Sequence, residues 1–363
     1  MRRITRFLPA VLTLAAGVLA TPALGQQIDS LPDVTKTSIS QPEQQEIADF
    51  VAPRLALIGG GDSAAREKAR RELLTPLSRP GVSVAFRRAF RQAAIGDLTT
   101  LAGSDDDGIA INALVVLGKI ADDPSRQVVQ QYTEDDRIAV RYAAVRAMTD
   151  TFLAVDFSSP AIDPGRVGEM VRHLATRLED ERDPSVADAI VRSLLSASTI
   201  RRDGFAGASG RATASLGAGV GAKLRAAQDD ERQVTLMTTV RVAEAFSGRL
   251  AAAGSVTPDV AKAGAGFAGE VLGHLAFRAN GGDMPATEGW ESDLVTLCER
   301  IMVFSALKLN GQLATPGLPA LVESGDARAF YDRIRNVSLG LSGSPWSLPA
   351  ADMQRIRDAL EGN

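Results

Sequence analysis

The chain has 363 residues, of which 45% are hydrophobic, 23% charged and 5% aromatic, a composition typical of a folded globular protein rather than a disordered or collagen-like one. Lysine and arginine number 40 against 44 aspartate and glutamate residues, and this acidic balance argues against nucleic acid as a partner. With two histidines and one cysteine, the chain excludes zinc fingers, iron–sulfur clusters and an internal disulfide.

The first 25 residues have the pattern of a secretory signal peptide. Three arginines precede an apolar run over residues 7–24, and Ala23 and Gly25 are small residues at the positions that signal peptidase reads. A membrane anchor is the alternative, but prolines interrupt the run. The sequence predicts cleavage near Gly25 and a flexible segment over residues 26–44. It also predicts a periplasmic or secreted mature protein without a transmembrane segment.

From about residue 47 onward, apolar residues recur every three or four positions, which predicts an all-α fold. Turn signals divide the pattern into short helices, because proline or glycine ends one helix and aspartate or serine caps the next. The clearest of these signals are residues 59–62, 79–81, 122–124 and 182–184. Helical hairpins are therefore the expected building unit.

A nine-residue frame recurs in this helical region, with apolar or small residues at its first, fifth and ninth positions. Its copies begin at Ala65, Ile109, Val140 and Val186, and acidic or turn residues precede each one. In the copy over residues 140–148, Ala144 holds the fifth position, where we expect close contact with a neighbouring helix. A single hairpin cannot bury its apolar face alone, so the repeated units are expected to stack.

These features resemble the HEAT-repeat family, whose first helix opens with an Asp-Pro turn and continues with Val-Arg and with alanine and leucine at fixed offsets. Val140-Arg141, followed by Ala143, Ala144 and Ala147, is similar to that pattern. Residues 112–122 are similar too, including to the bacterial HEAT-like branch shared with phycobilisome lyases. The resemblance implies a HEAT-like α-solenoid over residues 45–250 with a concave face that binds a partner.

The repeat pattern loosens over residues 251–363. We predict helices over about 257–277, 290–309 and 349–361, with a linker at 280–285. Solenoids need an atypical end to cover their last apolar face. This region is therefore expected to be a helical cap or a small second helical domain.

Two glycine motifs occur without the context that their chemistry requires. Residues 264–269 match GxGxxG, but a helical pattern rather than a strand precedes them, and residues 217–223 lack the Gly-Lys-Ser/Thr ending of a phosphate loop. We expect these glycines to allow close backbone approach or to form a flexible loop, with residues 204–219 partly disordered. Three aspartates at 105–107 lack the spacing of a calcium loop and are expected to cap a helix.

Cys298 and His274 both lie among apolar residues at helical spacing. Packed side chains are therefore expected at both positions, rather than a nucleophile and its base. No hydrolase, metalloprotease or metal-binding constellation can be assembled from the sequence. We predict no catalytic residue, cofactor or metal ligand.

Four residues are candidates for binding a partner. On one predicted helix, Arg87 and Arg91 lie off the apolar stripe, and on another His173 and Arg177 do so. If second helices line the concave side, as in HEAT repeats, these four side chains share that face and suit an acidic partner. A solvated helix surface without a partner is the alternative interpretation.

The leading functional hypothesis is a non-enzymatic, exported scaffold that holds a protein or peptide partner on its concave face. One alternative is a HEAT-like lyase that handles a chromophore, and another is a structural component of the cell envelope. Predicted export and the lack of an identifiable reactive group argue against the lyase. The sparse aromatic residues offer no stacking platform for a sugar polymer.

Overall fold

The computed structural model describes residues 31–157, 161–227, 231–252, 256–313 and 315–362, so the predicted signal peptide and its cleavage site lie outside the described residues. Within those ranges the fold is all α-helical, as predicted. The helices are α1 (Gln41–Gly60), α2 (Ser63–Leu77), α3 (Val84–Ala102), α4 (Asp107–Ile120), α5 (Asp123–Gln131), α6 (Ile138–Phe157), α7 (Pro164–Asp180), α8 (Pro184–Ser198), α9 (Ala206–Ala226), α10 (Arg232–Ala251), α11 (Pro258–Asn280), α12 (Trp290–Lys308), α13 (Leu318–Ser324), α14 (Ala327–Gly340) and α15 (Ala350–Glu361). A 3-10 turn at Tyr132–Glu134 follows α5.

Aspartates in the turns begin several helices, as the sequence predicted. The side chains of Asp62, Asp106, Asp122 and Asp183 accept hydrogen bonds from backbone N–H groups in the first turns of α2, α4, α5 and α8. Each bond satisfies a donor that has no partner inside its own helix. Capping therefore accounts for Asp106 in the aspartate cluster at the start of α4.

Part of the segment predicted to be flexible, residues 26–44, packs against the helices. Val34 is buried in the core, and residues 41–44 form the first turn of α1. The Glu43 carboxylate accepts hydrogen bonds from the backbone N–H and the hydroxyl of Ser40, each at 2.8 Å. This capping box fixes the start of α1 more firmly than the polar composition indicated.

The helices contact one another in two rows. In one row α2, α4, α6, α8, α10 and α12 each pack on the next, and in the other α1 packs on α3 while α7, α9 and α11 follow one another. Neighbours within a row run parallel. Arg137, just before α6, donates to Asp107 at the start of α4, and Thr151 late in α6 donates to the carbonyl of Gly118 late in α4.

Small residues set the closest helix contacts. A methyl group added to Gly118 in α4 would lie only 2.6 Å from atoms of Ala147 in α6, so this contact requires glycine. Ala144 is fully buried, as the repeat frame predicted. In the other row, a methyl group on Gly219 of α9 would lie 2.6 Å from the Leu178 side chain.

The two glycine motifs lie inside helices. Residues 217–223 belong to α9 and residues 264–269 to α11, so neither forms a phosphate loop. The disordered or flexible loop expected over residues 204–219 is wrong, because α9 is continuous from Ala206. The expected close approach is confirmed, since a methyl group on Gly217 would lie 3.3 Å from the carbonyl oxygen of Ala263 in α11.

The three predicted C-terminal helices correspond to α11, α12 and α15, each within three residues of the expected ends. The helices α13 and α14, which lie between α12 and α15, were not predicted. Both α14 and α15 pack against α11. The last helices of the chain thus cover the end of the row that contains α7, α9 and α11.

Candidate functional site

The prediction that Arg87 faces solvent is wrong. Its side chain is 2% exposed, and Nη1 donates to the backbone oxygens of Lys119 at 2.7 Å and Ile120 at 3.0 Å. Burial lowers the pKa of Arg87 to about 10, although the charge of Asp122 opposes the shift. A cation at the end of α4 satisfies carbonyls that lack helical partners and complements the helix dipole. Arg87 is therefore a structural residue.

Arg91 lies one turn further along α3 and is partly exposed. Its Nε atom is 2.7 Å from the carboxylate of Asp122, which also caps α5. The charge of Arg91 is thus paired within the molecule. Together with Arg87, it holds the turn that joins α4 to α5.

His173 and Arg177 are partly buried on α7. Nε2 of His173 lies 2.6 Å from the hydroxyl of Thr133 in the 3-10 turn. Burial lowers the pKa of His173, the charges of Arg177 and Arg126 act in the same direction, and Glu134 opposes them. The described contacts do not join this pair to Arg87 and Arg91, so the four candidates do not form one charged site.

A groove between α8 and α10 is a better candidate site. These two helices pack against each other more sparsely than α4 packs on α6 or α6 on α8, while both contact α9, which forms the floor. Several cavities follow the groove. We call three of them the proximal pocket near the start of α8, the middle pocket, and the distal pocket near the end of α8.

The proximal pocket has a volume of about 270 Å³ and is mainly apolar. Its apolar lining comes from α7, α8, α9 and α10, namely Leu178, Ala187, Val191, Val220 and Val234. Lys223 also lines it, but its Nζ donates to the backbone oxygens of Glu179 at 3.0 Å and Glu181 at 2.5 Å. This pocket can therefore hold apolar side chains.

Asp188, which lines the proximal pocket, joins the two walls of the groove. Its carboxylate accepts from Thr238 of α10 at 2.8 Å, from Arg192 of α8 at 2.6 Å, and from Arg241 of α10. Burial raises the pKa of Asp188, but the hydrogen bonds from Arg192 and Thr238 and the charge of Arg241 outweigh it and lower the pKa below its usual value. Asp188 is consequently ionised and ties α8 to α10.

The middle and distal pockets continue the groove toward the end of α8. The middle pocket is small and is lined by apolar side chains that include Leu195, Leu216 and Phe246. The distal pocket has a volume of about 410 Å³, and two arginines, Arg201 and Arg249, line it. The distal pocket thus adds two cations, with Glu244 beside them, to a lining that is still largely apolar.

The groove was not predicted from the sequence, although the residue spacing in α10 indicates one of its walls. Thr238, Arg241, Ala245 and Arg249 recur at three- and four-residue spacing, so they share one face of the helix. On α10 alone, this face has the pattern of a polar, solvated helix surface. Only the separation of α8 from α10 turns it into the wall of a groove.

The other candidate groups are packed within the fold. Cys298 is fully buried, as predicted, and burial raises the pKa of its thiol well above the usual value. His274 is mostly buried, which lowers its pKa. Among the described residues, no three His, Cys, Asp or Glu side chains are grouped to hold a metal ion. None of the described helices is both long and apolar enough to cross a membrane.

Comparisons with known proteins give no family for this chain. No family model and no curated protein sequence matches it. Two solved structures of engineered proteins are similar: one is 15% identical, covers 79% of this chain and 98% of its own with a TM-score of 0.26, and the other is 17% identical, covers 79% and 97% with a TM-score of 0.27. TM-scores this low carry no functional argument, and the HEAT-repeat resemblance stays a prediction.

Proposed function

We propose that this chain is an exported, non-enzymatic interaction scaffold of stacked helical hairpins, and that it binds a segment of a partner protein in the groove between α8 and α10. The observation that carries the proposal is the run of three pockets along one groove. The helical composition and repeated hairpins support a scaffold, and the signal-peptide pattern supports export.

The length of the groove favours a polypeptide as its occupant. The 15 residues of α8 at about 1.5 Å each give a groove of about 22 Å, which matches about seven residues of extended chain. The proximal pocket offers apolar surface for its side chains. The distal end carries arginines, so charge complementarity favours a segment that is apolar at one end and acidic at the other.

Filling the groove tests this proposal. Ala245 lines the middle and distal pockets and is exposed, so Ala245→Trp places a large side chain in the groove without displacing the core. Ala64→Trp on α2 is the matched control, because Ala64 is also exposed and lies outside the three pockets. Both variants are expected to melt within a few degrees of the unmodified protein.

The readout is affinity capture from an envelope extract with quantitative identification of the retained proteins. We expect a protein that the unmodified chain and Ala64→Trp retain equally and that Ala245→Trp loses. Equal retention by all three proteins would show that the groove is not the binding site. A retained pigment or cell-wall polymer in place of a protein would instead favour the lyase or the envelope component.

A further inference from the structure

The guanidinium of Arg249 lies in the distal pocket, and its charge has no acidic partner among the described residues. Its Nη1 donates to the carbonyl of Ser198 at 2.9 Å and to the hydroxyl of Thr213 at 2.7 Å, both uncharged groups. Burial lowers the pKa of Arg249, and no charged neighbour offsets that effect. A partly desolvated cation without a counter-ion is costly, so an anion at this position would be bound favourably.

The guanidinium of Arg249, which lines the pocket, has two nitrogen atoms left to bind a ligand. In the described part of the chain, Nε and Nη2 make no hydrogen bond, and neither belongs to the buried nitrogens that lack a partner. The bonds to Ser198 and Thr213 hold the guanidinium in place through Nη1 alone. The remaining edge of the group can thus donate two hydrogen bonds to a carboxylate.

Arg201 supplies a second cation to the same pocket. It follows α8, its side chain is exposed, and the one hydrogen bond that it makes in the described residues is from its backbone N–H to Asp156. Glu244 also lines the pocket, and the ion pairs described in this structure do not join it to either arginine there. The pocket thus combines one guanidinium held by hydrogen bonds, that of Arg249, with one exposed guanidinium, that of Arg201.

We infer that the distal pocket is a carboxylate-binding subsite that takes the side chain of an aspartate or glutamate in the partner segment, through Arg249 and Arg201. This inference rests on the proposed function. A side chain fits better than a chain terminus, because the surface continues past the pocket through Arg201 toward Arg202 and Asp203, which leaves room for the partner chain to pass.

A displayed library of random 12-residue peptides tests the inference. The library is selected against the full chain and against Arg201→Gln, Arg249→Gln and the groove-filling Ala245→Trp. We expect the unmodified chain to enrich peptides with an acidic residue beside an apolar run. Arg201→Gln and Arg249→Gln should retain the apolar run and lose the acidic preference, whereas Ala245→Trp should lose both.

The strongest peptide is then synthesised with its acidic residue intact or replaced by the amide, and with a free or amidated C terminus. Replacement by the amide should weaken binding to the unmodified chain about tenfold, or about 1.4 kcal/mol, and should change binding to Arg249→Gln little. C-terminal amidation should have no effect. If Arg249→Gln unfolds because it no longer caps α8, the same comparison on the exposed Arg201 decides the question.

The outcomes separate the two proposals. Enrichment of apolar peptides without an acidic preference would overturn the carboxylate subsite and leave the scaffold intact. An acidic preference that persists in both glutamine variants would also overturn the carboxylate subsite. So would a loss of peptide binding on C-terminal amidation. No enrichment by the unmodified chain would contradict groove binding itself, and the subsite would fall with it.

Discussion

At the scale of single residues, arginines link neighbouring helices by bonding to groups near helix ends. Arg87 bonds to carbonyls at the end of α4, and Arg249 bonds to the last residue of α8. Arg141 holds the buried carboxylate of Glu181 through Nε at 3.1 Å and Nη2 at 3.2 Å. Removal of Arg87 takes the side-chain donor away from two buried carbonyl oxygens, which costs more than the loss of an exposed ion pair.

Arg87 and its neighbour Arg88 allow a direct test of this difference. Arg87→Ala removes the cation that bonds to two carbonyls and leaves a cavity, so we expect the free energy of unfolding to fall by about 2–4 kcal/mol. Arg88 is exposed, and Arg88→Ala should change the free energy of unfolding by less than about 0.5 kcal/mol. Denaturant unfolding of both variants measures the two values. Equal effects would contradict the structural assignment of Arg87.

His173 should make stability depend on pH. Burial lowers its pKa in the folded state, so the native protein binds fewer protons than the unfolded chain as the pH falls below the unfolded value of about 6.5. The stabilising effect of the neutral imidazole is full above that value and is lost as the pH falls through the window toward the folded pKa. Acidification should therefore destabilise the unmodified protein.

His173→Gln removes this titrating group, so its stability should fall less between pH 7.5 and pH 5.5 than that of the unmodified chain. Unfolding curves at several pH values measure the difference. His274, whose pKa is also lowered by burial, leaves some pH dependence in the variant. Parallel pH profiles for the two proteins would show that His173 does not contribute.

At the scale of helices, glycine determines how closely neighbours within a row approach. Gly118 faces α6 so closely that any side chain must displace the Ala147 backbone, whereas Gly96 in α3 has no atom within 4 Å of an added methyl group. Overpacking of a close contact and simple helix propensity therefore act in opposite directions at these two sites.

Gly118→Ala and Gly96→Ala should accordingly differ in sign. We expect Gly118→Ala to destabilise the protein by about 1–3 kcal/mol, because α4 and α6 must separate. Gly96→Ala should stabilise it by about 0.5–1 kcal/mol, since alanine restricts the unfolded chain and suits a helix. Thermal or denaturant unfolding provides the comparison. A stabilising Gly118→Ala would contradict the described contact between α4 and α6.

At the scale of the whole molecule, features fixed by local sequence were the ones that could be predicted. The helical period predicted the fold class and the burial of Ala144 and Cys298, and the turn signals predicted the caps at Asp62 and Asp183. Each of these features depends on residues within a few turns. Arg87 was misplaced because its partners lie 32 and 33 residues away, at the end of another helix. The groove was missed for the same reason: it arises from the spacing of two helices.

The most direct test of the proposed scaffold is photo-cross-linking in native cells from a residue that lines the groove. Thr199 is exposed and lines the distal pocket, so p-benzoylphenylalanine at this position should form a discrete adduct with one partner protein. The same group in place of Ala64 on α2 serves as the control and should form none. No adduct at position 199, or the same adducts at both positions, would contradict a partner bound between α8 and α10.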